Sequence, residues 1–146
     1  MFIERTAIGL DVHARSVRAA AIDSLTGEVI EAKLPAVNAE IGGWVAGIVD
    51  RHGAVHVAYE AGPTGFGLAR ALAAAGVACT VAAPSKMLRP AGDRVKTDAR
   101  DALLLARLLR MDELVPVRVP TVAEESARDL VRARDDARVE LMAARH

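Results

Sequence analysis

The chain has 146 residues, 52% hydrophobic and 26% charged, which is typical of one ordered globular domain and too short for a large multidomain enzyme. Lys plus Arg and Asp plus Glu each number 19, so a nucleic-acid partner would have to bind a local basic surface. The single cysteine, Cys79, excludes an internal disulfide. No apolar run approaches the about 18 residues of a membrane span, so we expect a cytoplasmic protein with no membrane partner.

Three short apolar runs open the chain, at 6–11, 16–23 and 28–34, and are predicted to be strands. Their connectors are short and the second, Ser24-Leu25-Thr26-Gly27, consists largely of turn formers, which predicts an antiparallel meander. A helix is predicted over 39–51 with Asn38 as its N-cap. Its buried face is predicted from helical spacing to contain Ile41, Trp44, Val45, Ile48 and Val49.

The next segments alternate as a strand at 54–60, a helix at 63–75 opened by Pro63, and a strand at 77–83. Such alternation predicts parallel strands, with the fourth strand beside and parallel to the first. Three meandering strands followed by helix, strand, helix and strand is the order of a ribonuclease H-like mixed sheet in an α/β fold. Rossmann domains instead place a helix after their first strand.

The remaining chain is predicted to contain an irregular stretch over 85–96, a helix over 97–110 and a proline-containing loop. A long C-terminal helix begins at the capping box Thr121-Val122-Ala123-Glu124 and is predicted to continue to His146. Its apolar residues alternate in steps of four and three, so this helix either pairs with another helix or packs on the sheet. The pattern leaves both arrangements open.

Four acidic residues are candidates for a metal site. Asp11 and Glu60 each end an apolar strand, and neighbouring parallel strands would bring them together, although a lone strand-end acid is usually structural. Asp98 and Asp101 are three residues apart on one helix face, where acids also stabilise the helix dipole without further function. Together the four carboxylates could hold two divalent ions about 4 Å apart for phosphodiester cleavage, and oxygen ligands suit Mg²⁺ or Mn²⁺.

A locally basic segment precedes and overlaps the acidic helix, although the whole chain is neutral. Such a patch suits a phosphate backbone, whereas the alternative is an ordinary solvated surface. The predicted nucleic-acid contacts are Lys86, Arg89, Arg94, Lys96 and Arg100. His13 could also reach a phosphate, but the simpler interpretation is an exposed turn histidine.

Three segments carry a resemblance to a known family: Ile8-Gly9-Leu10-Asp11-Val12-His13, Tyr59-Glu60-Ala61-Gly62-Pro63-Thr64-Gly65, and Lys96-Thr97-Asp98 followed by Arg100-Asp101-Ala102. Together they resemble the N-terminal catalytic domain of the DEDD transposases of bacterial insertion sequences, which are related to the pilin-gene invertase. The resemblance implies a RuvC-like domain, similar to Holliday-junction resolvases. It also implies metal-dependent DNA cleavage and strand transfer, carried by the four acids.

The same resemblance implies a division of the chain into a catalytic domain at 1–110 and a segment at 111–146. The second segment would contain a linker and the start of a coiled-coil-like helix that leads to a serine-bearing C-terminal domain, which is expected to lie outside these 146 residues. Expected partners are DNA, a second copy of the protein in a homo-oligomer and a guide RNA encoded by the element.

Two other functions stay open from the residues. Actin-like and sugar-kinase ATPases also begin with three strands and an early Asp, but they use glycine and hydroxyl residues in the first hairpin, where this chain has Val12-His13-Ala14-Arg15. The third alternative is a non-catalytic module for nucleic-acid binding or dimerisation. In that case the acids only stabilise helix termini and turns.

Overall fold

The computed structural model describes residues 5–84 and 98–145. The strands are β1 (Thr6–Val12), β2 (Ser16–Ile22), β3 (Val29–Pro35), β4 (Val55–Glu60) and β5 (Ala78–Ala82). The helices are α1 (Asn38–His52), α2 (Gly67–Ala74), α3 (Asp98–Arg110) and α4 (Val122–Ala144). Within the described ranges, no helix is long and apolar enough to cross a bilayer.

The five strands form one mixed sheet in the order β3-β2-β1-β4-β5. β2 is antiparallel to both β1 and β3, whereas β4 is parallel to β1 and β5 is parallel to β4. This order confirms the predicted ribonuclease H-like mixed sheet with its three-stranded antiparallel start. It also confirms that the fourth strand lies beside the first.

The two faces of the sheet are covered by different helices. Side chains alternate between the faces along each strand, so Ile8 and Leu10 of β1 and Val57 and Tyr59 of β4 join the core beneath α1 and α2. The intervening positions, such as Ala7 and Ala58, pack with the apolar face of α3. The face of α3 that is turned to the sheet is buried and contains Ala102, Leu105, Ala106 and Leu109.

Gly9 of β1 lies on the sheet face that α3 covers. A Cβ atom at this position would overlap with the carbonyl oxygen of Ala102 and would lie 2.6 Å from the amide nitrogen of Ala106. The backbone of α3 therefore contacts the backbone of β1 directly, which is possible because glycine has no side chain. This close approach sets the position of the first turn of α3 relative to the end of β1.

The first two helices differ from prediction at their boundaries. Asn38 is the first residue of α1 and not its N-cap, since Val37 holds that position without a capping side chain. On the predicted buried face, Trp44 is half-buried and Val49 is 36% exposed. α2 begins at Gly67 rather than at Pro63, because Gly65 closes a turn onto the Gly62 carbonyl at φ +79°, a backbone conformation that no α-helix contains.

The last helix begins with the predicted cap but does not cover the sheet. The Thr121 hydroxyl accepts a hydrogen bond from the Glu124 amide at 3.1 Å, and Glu125 binds Arg70 of α2 at 2.5 Å. From Ser126 to Arg145 every described residue is exposed, so the alternative in which this helix packs on the sheet is wrong. Pairing with another helix stays a prediction.

A buried aspartate links the β2–β3 turn to the end of α1. Asp23 accepts hydrogen bonds from the amides of Thr26 and Leu25 at 2.7 and 2.8 Å, and the His52 ring lies 2.7 Å from its second oxygen. The Thr26 amide, followed by His52 and the Leu25 amide, holds the pKa of the Asp23 carboxyl well below its usual range. The ionised carboxylate therefore stabilises the fold above the unfolded pKa of about 4.

Acid should remove this stabilisation. Below about pH 4 the unfolded chain binds a proton at Asp23 while the folded chain does not, so the free energy of unfolding falls as the pH approaches the lower folded pKa. We expect Asp23→Asn to lower the free energy of unfolding at neutral pH and to flatten its fall on acidification, measured by urea unfolding across this range. The matched control is Asp129→Asn on the exposed part of α4, which should leave the pH profile unchanged. Equal profiles for Asp23→Asn and the native chain would contradict the assignment.

Candidate metal centre

Asp11 and Glu60 lie at the carboxyl ends of two adjacent parallel strands. The β1–β4 register pairs Leu10 with Tyr59, so the next residue on each strand brings Asp11 alongside Glu60. Both acids follow the alternation that directs Gly9 and Ala58 towards α3, and both line one cleft of about 390 Å³. The two acids therefore lie at the same end of neighbouring strands, as predicted from the strand order.

The first turn of α3 brings two further carboxylates to this edge. Asp98 is the first residue of the helix and its side chain is half exposed, whereas Asp101 is buried at 7% exposure. Both lie close enough to Asp11 to raise the pKa of its carboxyl. The direct contact between α3 and Gly9 is what holds this turn beside the end of β1.

The Asp11 carboxyl is electrostatically unfavourable as an anion. Burial is the largest cause of its raised pKa, and the negative charges of Asp98 and Asp101 raise it further, while His13 offsets part of the effect. Carboxylates collected in this way repel one another in the folded state, so a cation between them is stabilising. The donor set consists mainly of oxygens, which fits Mg²⁺ or Mn²⁺.

His13 completes a compact group of ligand atoms. Its Nε2 lies 2.9 Å from Asp11 Oδ2 and 3.4 Å from Asp98 Oδ1, and one ligand atom from each of these three residues lies within 4.8 Å of the others. His13 is exposed in the turn after β1, as predicted, whereas its contacts with Asp11 and Asp98 were not predicted. The spacing of two between Asp11 and His13 at a strand end was the available signal, because it directs both side chains to the same face.

The predicted site residues fall into three groups in the structure. Asp11 and Asp98 belong to the compact group with His13, while Glu60 and Asp101 lie near Asp11 but outside that group. Arg100 is exposed on the first turn of α3, between the two acids of that helix. The other predicted nucleic-acid contacts, Lys86, Arg89, Arg94 and Lys96, lie outside the described residues.

Comparisons with known proteins agree on one family. The family model described as "Transposase", for DEDD transposases of the IS110 type, matches residues 8–145. A putative transposase y4qE of Sinorhizobium fredii is 57% identical over 83 residues, covering 57% of this chain and 21% of that protein. The transposase for insertion sequence element IS1533 of Leptospira borgpetersenii is 35% identical over 136 residues, covering 92% of this chain and 39% of that protein.

The chain thus spans well under half the length of both curated relatives. Among solved structures, the large terminase nuclease from thermophilic phage G20c is similar to this chain at a TM-score of 0.46 and 16% identity. That similarity covers 75% of this chain and 56% of the nuclease chain. The family match favours the transposase prediction over the ATPase alternative.

Proposed function

Because the chain belongs to the DEDD transposase family, we propose that it supplies the metal-binding catalytic domain for phosphodiester cleavage and strand transfer in insertion-sequence transposition. This proposal is supported by four acids placed around the end of β1: Asp11 and Glu60 line one cleft, and two acids of α3 lie close enough to Asp11 to raise the pKa of its carboxyl. Such a concentration of negative charge reduces the stability of the metal-free fold, which is easier to explain if a cation binds there.

Asp11, Glu60, Asp98 and Asp101 are proposed to hold two Mg²⁺ or Mn²⁺ ions and to be the catalytic residues. When bound, a pair of ions activates the attacking oxygen and stabilises the leaving oxygen of a phosphodiester. The protein's own contribution is positional. The register of β1 and β4 places Asp11 and Glu60 at the same end of the sheet, and the packing of α3 on Gly9 holds the other two acids near Asp11.

DNA is the proposed substrate, with Arg100 beside the carboxylates as a contact for its phosphates. The basic residues Lys86, Arg89, Arg94 and Lys96 are proposed to extend that contact. A guide RNA, a homo-oligomer and a cytoplasmic location stay predictions, as does the division into a catalytic domain at 1–110 and a connecting segment at 111–146. These four points follow from the sequence and from the resemblance.

The proposal is tested by calorimetric titration of Mn²⁺ into the whole chain, with and without a short DNA duplex, combined with a DNA cleavage assay in Mg²⁺ or Mn²⁺. We expect Glu60→Gln to weaken Mn²⁺ binding by about tenfold or more and to reduce any metal-dependent cleavage in parallel. The matched control is Glu40→Gln, which changes an exposed acid in the first turn of α1 and should alter neither. A folded chain that binds neither ion, with or without DNA, would contradict the proposed function.

A further inference from the structure

The imidazole of His13 lies between two proposed metal ligands. Its Nε2 is 2.9 Å from Asp11 Oδ2 and 3.4 Å from Asp98 Oδ1, although these residues come from a strand end, a turn and a distant helix. Adjacent ligands of one divalent ion lie about 3 Å apart when each is about 2.1 Å from the metal. The 2.9 Å contact is a hydrogen bond, and both separations are also close to those expected of neighbouring ligands around one ion.

The backbone of His13 is held in place by the first hairpin. Its amide donates a hydrogen bond to the Ser16 carbonyl at 3.0 Å, which closes the turn between β1 and β2. The ring is also half exposed, so an ion and its remaining water ligands could reach Nε2 without displacing the core. A preorganised and accessible nitrogen is what a first-row transition-metal site requires.

From this geometry we propose that His13 is a nitrogen ligand of the ion that Asp11 and Asp98 hold, and that it makes this position prefer Mn²⁺ to Mg²⁺. The inference rests on the proposed function, since it adds a ligand to the same site. Its physical basis is ligand chemistry: imidazole nitrogen contributes more to the binding of Mn²⁺ and later transition metals than to Mg²⁺, which prefers oxygen ligands.

Electron spin-echo envelope modulation of the whole chain loaded with Mn²⁺ tests the contact directly. We expect nitrogen modulation from a directly bound imidazole in the native chain and its loss in His13→Gln, which retains an oxygen donor at the same position. Calorimetry should show that His13→Gln lowers the affinity for Mn²⁺ by about tenfold and that for Mg²⁺ by less than about threefold. Because the His13 ring is half exposed, we expect this variant to remain folded, and its melting temperature checks that it does.

The outcomes separate the two proposals. Mn²⁺ that binds without nitrogen modulation in the native chain overturns the role of His13 and leaves the carboxylate site intact. Nitrogen modulation that persists in His13→Gln also overturns it, because another histidine would then be the ligand. A native chain that binds no Mn²⁺, with or without DNA, contradicts the proposed function itself.

Discussion

Gly9→Ala should destabilise the protein by about 3 kcal/mol, although it adds a single methyl group. The new Cβ would overlap with the Ala102 carbonyl oxygen and would lie 2.6 Å from the Ala106 amide nitrogen. Both obstacles are backbone atoms of α3, so no rotation of a side chain relieves the overlap. The helix must instead move away from β1 and lose part of the apolar contact formed by Ala106 and Leu109.

The same displacement should weaken metal binding, because it moves the first turn of α3 away from Asp11. We therefore expect Gly9→Ala to lower both the urea midpoint and the affinity for Mn²⁺ under conditions in which the variant is still folded. The matched control is Gly43→Ala in the exposed face of α1, where a Cβ meets no atom within 4 Å. That variant should gain about 0.5–1 kcal/mol from helix propensity. A Gly9→Ala protein as stable as the native chain would show that α3 does not pack on β1 as described.

Asp11→Asn should stabilise the metal-free fold and, at the same time, weaken metal binding and cleavage. Burial, Asp98 and Asp101 raise the pKa of the Asp11 carboxyl, so its negative charge opposes folding at neutral pH when no metal is bound. Replacing it by a neutral amide of the same shape removes that repulsion. We expect the metal-free variant to be slightly more stable than the native chain in urea unfolding at neutral pH.

The same variant should lose the proposed activity. With one carboxylate ligand removed, we expect Mn²⁺ affinity to fall by about 100-fold and metal-dependent cleavage by about 10³-fold or more. Asp50→Asn, which removes an exposed acid near the end of α1, should change neither quantity. Native-like metal affinity in Asp11→Asn would remove Asp11 from the site.

The stability difference should depend on pH in a defined direction. Because the pKa of Asp11 is raised in the folded state, the folded native chain binds a proton at Asp11 at a higher pH than the unfolded chain does. The stability penalty from Asp11 is therefore present at neutral pH and disappears as the pH falls through the raised pKa. The advantage of Asp11→Asn should shrink over that range, and an advantage that grows on acidification would contradict this account.

The order of strands and helices was predictable from the sequence because it depends on local patterns. Short apolar runs with turn formers between them define an antiparallel meander, and a strand–helix–strand alternation defines parallel pairing. The acids near the carboxyl ends of β1 and β4 could be assigned to the same edge for the same reason. The start of α2 was harder to predict, because proline is common at the start of both helices and turns. Here Pro63 belongs to a turn, which Gly65 closes in the left-handed backbone conformation.

Tertiary structure decided which of the polar groups meet. Asp98 and Asp101 share a helix turn, yet one is half exposed and the other buried, since burial depends on how closely α3 packs against β1. His13 contacts an acid that is 85 positions later in the chain, a proximity that no local pattern encodes. For α4, the periodicity of apolar residues was compatible with packing on another helix or on the sheet. Because every residue from Ser126 to Arg145 is exposed, packing on the sheet is excluded. Sequence periodicity therefore specified the elements and the face that each can bury, whereas contacts between distant segments specified the electrostatics and ligand set of the candidate metal centre.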